Sequence, residues 1–139
     1  MAHELFHRVD QDHRISRGLS SGLTQDFVAL NVVSGGDIKG YLMERYPEAF
    51  KKNVLGQAVM HSQYRGIADI LNGFSDGEAY YGYGHKIKYW KRQGALEAEA
   101  WAQFGRILFE NDPKVLKMFT DIFPNLWGSA IMIIKKGEF

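Results

Sequence analysis

The chain has 139 residues, of which 17 are basic and 16 acidic, and a net charge of +1. That length fits one domain with a real hydrophobic core, and a near-neutral balance excludes bulk electrostatic attraction to nucleic acid or to a membrane surface. Cysteine is absent, which excludes disulfides, thiol catalysis and thiolate zinc clusters and leaves histidine and carboxylates as the metal ligands available.

The first predicted element is a helix from about Ala2 to Arg14, ending in the break R-G-L-S-S-G-L. The apolar stretch from Thr24 to Val33 fits a helix or a strand. In S-G-G-D, Asp37 is a plausible N-cap for the helix I-K-G-Y-L-M-E-R-Y, which Pro47 interrupts or restarts. A further helix is expected from Asn53 to Leu71, with Val54, Ala58, Ile67 and Leu71 on one face. It ends in the turn cluster N-G-F-S-D-G.

The glycine-spaced aromatic run E-A-Y-Y-G-Y-G-H-K-I-K-Y-W-K-R reads as an ordered loop, with at most a short strand, and its lysines and arginines as a solvated face. A helix over Ala95 to Glu110 follows. N-D-P ends it, Pro113 begins the next helix, which runs to Pro124, and Leu126 to Lys135 forms a last one. The expected fold is therefore mainly α, with little or no sheet. No apolar run approaches the roughly 20 residues that span a bilayer, so no membrane contact is expected, and no signal peptide opens the chain.

One motif stands out from this background. Residues 3–7 read H-E-L-F-H. On a helix His3 and His7 share a face, the pattern that binds zinc through two imidazoles and uses the glutamate, here Glu4, as general base. A catalytic zinc needs a third protein ligand and an open position. His13 has the spacing of the H-E-x-x-H-x-x-G-x-x-H motif, but Asp10 stands where that motif has glycine. The alternative is a carboxylate from the later helix, whose segment L-E-A-E-A-W-A-Q-F offers Glu97 and Glu99. Asp10 falls one turn beyond His7 and is placed to orient an imidazole.

H-E-L-F-H-R-V-D looks like the H-E-x-G-H-x-x-D segment of zincin-type metallopeptidases, and E-A-W-A-Q-F resembles the E-x-F-A-E-x-F segment of the anthrax lethal factor catalytic domain and its relatives. The chain also resembles metallopeptidase-like domains at the C-termini of some phage minor head proteins and bacterial polymorphic toxins. There the intervening pattern is similar to I-A-D-I-L-N-G (Ile67–Gly73) and Y-G-H-K-I-K-Y-W (Tyr83–Trp90), and N-D-P-x-x-L-x-x-F-x-x-x-F-P-N downstream is similar too. The likeness spans almost the whole chain.

This resemblance implies a single gluzincin-like domain over residues 1–139, with an H-E-x-x-H helix packed on a glutamate-bearing helix; the sequence departs from the family in that only Met1 and Ala2 precede His3, so the small sheet that usually comes before this helix is expected to be lacking. It makes Glu99 the third zinc ligand, ahead of His13, and leaves Glu97 on another helical face. The implied activity is zinc-dependent peptide-bond hydrolysis with Glu4 as general base. His85 and Tyr89, in the loop before the Glu99 helix, are candidates to stabilise the oxyanion, and Tyr83 is a weaker third. The partner is then a peptide or protein substrate, with no nucleic acid expected. The expected location is the cytoplasm, or a virion or delivered toxin. The rival expectation is a non-catalytic or degenerate domain of phage or mobile-element origin acting as a structural or interaction module. Asp69 is expected to brace a neighbouring loop, and His61 to be structural.

Overall fold

A computed structural model describes residues 2–13 and 15–137, with only the backbone for 11–13. Helix α1 spans Ala2–His13 and carries Glu4 in its first turn, where a carboxylate complements the helix dipole. The expected break is a 3-10 turn, Ile15–Leu19, that runs directly into α2, Ser20–Val33. Asp10 organises this junction: its carboxylate accepts the Ser16 backbone N–H at 2.5 Å and the Ser16 hydroxyl at 2.7 Å. The ambiguous stretch is helical, with Leu23, Asp26 and Leu30 buried while Val28, Val32 and Val33 are exposed, the spacing of one helical face. Helix α3, Ile38–Arg45, starts at the expected cap, where the Asp37 side chain accepts the Gly40 N–H.

The helix expected from Asn53 is overturned. Strands β1 (Phe50–Lys52) and β2 (Ala58–Met60) form an antiparallel hairpin with Phe50 opposite Met60. The reason is local. The Asn53 side chain accepts the N–H groups of Leu55 and Gln57, both at 2.9 Å, and Gly56 sits at φ +80°. This turn satisfies the backbone as well as a helix would. Val54, expected on the helix's apolar face, is fully exposed. The helix proper, α4, spans only Arg65–Phe74. The aromatic run contains no strand and ends in one helical turn, α5 (Ile87–Trp90).

Helix α6, Ala95–Glu110, is the axis of the molecule, followed by α7 (Pro113–Ile122) and α8 (Pro124–Lys136), which begins two residues earlier than expected. Pro113 and Pro124 stand at first helical positions, where a missing N–H costs nothing. Trp101, Phe104, Ile107, Phe119 and Phe123 form the centre of the core with Ile67 and Ile70, each burial contributing about 1.5–3 kcal/mol. A buried carboxylate, Asp26, accepts the N–H groups of Asn125 and Leu126 and so ties α2 to the start of α8. The fold is mainly α, with a two-stranded hairpin as the sheet among the described residues. No described helix is long and apolar enough to cross a membrane.

Candidate metal centre

Two close helix contacts bring the polar residues together. A Cβ at Gly105 of α6 would lie 2.3–2.5 Å from the Phe6 ring, so the glycine lets α1 settle on α6 with Phe6 against Trp101, ring centroids 4.8 Å apart. His3 and His7 lie three residues before and one after Phe6, and this packing turns them towards Glu99. At Gly66 of α4 a Cβ would stand 3.0 Å from the Gln103 side chain, so α4 also approaches α6 closely and brings Asp69 alongside.

Glu99 is 2 % exposed. His3 Nε2 lies 3.1 Å from its Oε2, and His7 Nε2 lies 3.1 Å from its Oε1. The two imidazoles meet edge to face with centroids 4.5 Å apart. Ligands placed at about 2.0–2.2 Å from a tetrahedral zinc stand about 3.3–3.6 Å from one another; the two His–Glu distances fall just under that range, and all three ligand atoms lie within 4.8 Å of one another. Glu4 is exposed at its side chain, with Oε1 3.5 Å from His3 Nδ1, on the solvent side of the pair. The Tyr89 hydroxyl donates to Glu99 Oε1.

A second group adjoins the first. His85 Nε2 lies 3.5 Å from both Asp69 Oδ1 and Glu99 Oε1, and Gln103 Nε2 donates to Asp69 Oδ2 at 2.9 Å. The loop that carries His85 is held by Asn72, whose Oδ1 accepts the His85 backbone N–H at 3.0 Å and the Trp90 indole N–H at 2.7 Å. The Asn72 amide donates to the Ala79 carbonyl. His85 also stacks on Tyr89 at 3.9 Å.

The electrostatics follow from burial and neighbours. Burial disfavours ionised Glu99, but hydrogen bonds from His3, His7 and Tyr89, with Asp69 as the neighbouring acid, outweigh it and hold the carboxyl well below the usual range. His7 is raised by its hydrogen bond to Glu99, against the effect of burial. Asp69 is pushed up to about 7 by burial and by the adjacent Glu99. Burial and Glu99 also raise the Tyr89 phenol.

Of the residues singled out from the sequence, His3, His7, Glu99, His85 and Tyr89 converge, and Glu4 borders them. Two readings change. Asp10 is committed to Ser16 through both oxygens and braces the helix junction rather than an imidazole. Asp69 faces the imidazole and carboxylate cluster, and the loop brace assigned to it is Asn72. Glu97 borders a separate cleft with Ser20, Thr24 and Phe27. The His13 side chain lies outside the described residues. Asn72 and Gln103 were given no role, although they lie in the segments I-A-D-I-L-N-G and E-A-W-A-Q-F; their signal was a polar residue at i+3 from Asp69 and one at i+4 from Glu99.

Compared with known protein families, curated proteins and solved structures, the chain matches none.

Proposed function

We propose that the protein is a zinc-dependent metallopeptidase, with zinc held by His3, His7 and Glu99. The observation that carries this reading is the meeting of Glu99 with both imidazoles at 3.1 Å, across more than ninety residues of chain. A donor set of two neutral imidazoles and one carboxylate suits zinc, and it leaves room for the open position that a catalytic site keeps. When bound, zinc supplies a Lewis acid and lowers the pKa of its water to about 7.

The protein's own residues do the rest. Glu4 stands at His3 Nδ1, the ring nitrogen away from Glu99; as an exposed side chain it acts from a second rotamer that reaches the open side of the imidazole pair, where it takes the proton of the attacking water and delivers it to the leaving amine. Buried Glu99 is ionised: burial disfavours the charge, but hydrogen bonds from His3 and His7 hold its pKa down, so it needs no deprotonation before it can ligate. The raised phenol of Tyr89 stays protonated at neutral pH, and its one proton goes to Glu99 Oε1 in the structure; it serves the oxyanion that forms on the substrate carbonyl by turning away from Glu99 once that carboxylate ligates zinc, and His85 is the other candidate. Clefts of about 460 Å³ beside His7 and Tyr89 and about 320 Å³ beside His3 and Arg106 offer an extended peptide a seat on either side of the imidazole pair.

The test is Glu4→Gln. Zinc content is expected to stay the same while cleavage of an unbiased peptide library falls about 100- to 10,000-fold. Undiminished cleavage by the variant removes Glu4 from this role. A non-catalytic metallopeptidase-like module is the second reading. It is favoured by the way Glu99 already satisfies both imidazoles with no ion needed to hold them. Zinc retention with no cleavage by the wild-type chain selects it.

A further inference from the structure

We propose that Asp69, His85 and Glu99 hold a second divalent cation, so that the Glu99 carboxylate bridges two metals. Each of the two trios, His3–His7–Glu99 and Asp69–His85–Glu99, offers one ligand atom per residue with all three within 4.8 Å of one another. For the first metal the inference rests on the function proposed above; for the second it rests on separate observations.

Asp69 is the central one. The residue is 3 % exposed, and its two oxygens differ. Oδ2 takes the Gln103 amide proton, while Oδ1 is buried with no hydrogen-bond partner. An orphaned buried carboxylate oxygen is unfavourable unless a cation or donor meets it. A carboxylate with one oxygen fixed by an outer amide and the other left open is arranged as a monodentate metal ligand is.

His85 completes the geometry. Its Nε2 stands 3.5 Å from Asp69 Oδ1 and 3.5 Å from Glu99 Oε1. That is too long for a good hydrogen bond and falls on the edge length of about 3.3–3.6 Å expected around tetrahedral zinc. The ring does not reach this position by chance rotation, because Asn72 anchors its backbone and Tyr89 stacks on its face. Among the described residues no lysine or arginine lies within ion-pair distance of Asp69 or Glu99, and the one side chain between the two carboxylates is the His85 imidazole, itself a metal ligand when neutral. With His85 engaged as a ligand, oxyanion stabilisation falls to Tyr89 alone. Two cations sharing one carboxylate also match the two-metal arrangement that clamps both the attacking and the departing atoms of a hydrolysis.

The full chain, stripped with chelator and titrated with Zn²⁺ against a chromophoric competitor, is expected to bind two equivalents. Asp69→Asn and His85→Ala are each expected to bind one, with affinity at the remaining site falling no more than about 10- to 100-fold, as for an outer-shell change. His3→Ala combined with His7→Ala is expected to lose the other equivalent. Thermal melts of each metal-free variant identify any that fail to fold. A single equivalent in the wild type, kept by Asp69→Asn and lost with the paired histidines, overturns the second site and leaves the proposed function standing. A single equivalent lost in Asp69→Asn but kept without the paired histidines does the opposite. No zinc in the wild type overturns both.

Discussion

The two flanks of Glu99 are built differently. On one side a single helix, α1, presents His3 and His7 one turn apart, so their relative placement follows from helical geometry alone. On the other side Asp69 comes from α4 and His85 from an irregular loop, and their placement depends on tertiary contacts through Asn72 and Gln103. The first flank needs one good docking contact to be correct; the second needs several buried hydrogen bonds to hold at once. A spacing-defined pair is robust internally and fails as a unit when its helix moves. A network-defined pair fails piecemeal, one bond at a time.

Asn72→Ala breaks the second flank and carries the largest expected effect. It removes the acceptor of the Trp90 indole and His85 backbone protons and the donor to Ala79. At about 1 kcal/mol per lost hydrogen bond the cost is about 3 kcal/mol, read as a shift in denaturant midpoint at unchanged slope. The His3–His7 flank is expected to survive, so one equivalent of zinc remains. Loss of all zinc from a still-folded Asn72→Ala would mean that the two flanks are not independent.

Gly105→Ala breaks the first flank instead. The added methyl would press into the Phe6 ring at 2.3–2.5 Å, an overpacking cost of about 1–3 kcal/mol. Alanine recovers about 1 kcal/mol through helix propensity, so the expected net destabilisation is about 0–2 kcal/mol. The sign is the informative part: a Gly105→Ala chain that is more stable than the wild type contradicts the close seating of α1 on α6. Zinc affinity at His3 and His7 is expected to fall while the Asp69 flank is kept. Phe6→Leu in the same chain should restore part of both losses, because the smaller side chain makes room.

This contrast also explains what could be read from the sequence. The α1 motif, the α6 helix, the cap at Asp37 and the helix start at Pro113 were legible because each rests on residues within one or two turns of one another. Glu99 was legible only by resemblance, since nothing local to E-A-E-A-W distinguishes it from Glu97 before α1 is docked. Asp69 was misread because a polar residue on an apolar helix face looks the same whether it braces a loop or faces a site. The hairpin at Phe50–Met60 was missed because Val54, Ala58 and Ile67 fit a helical period, while the Asn53 side-chain turn that defeats it is a matter of two hydrogen bonds. Val54 is consequently exposed where a helix would have buried it.

The smallest effect bears on Glu99 as the pivot between the flanks. In the metal-free chain the folded-state pKa of His7 lies above its ordinary 6.5 because Glu99 holds the proton on it. A raised histidine stabilises fully below the unfolded value, and the contribution is lost as pH rises through the folded one. Glu99 runs the other way: its depressed pKa gives stability that is present above the ordinary 4.5 and disappears as pH falls. The metal-free protein is therefore most favoured by this pair between those limits, and raising the pH beyond the His7 titration should lower its Tm. At about 1 kcal/mol for a partly exposed hydrogen bond, the drop is about 2–4 °C for a chain of this size. Zinc needs the same imidazole unprotonated, so the stabilisation it confers should grow over the interval in which the metal-free Tm falls. His7→Gln should flatten this part of the pH profile, since nothing is then left at that position to titrate. A zinc shift that stays constant across the interval would mean that His7 is not a ligand, and that Glu99 serves the Asp69 flank alone.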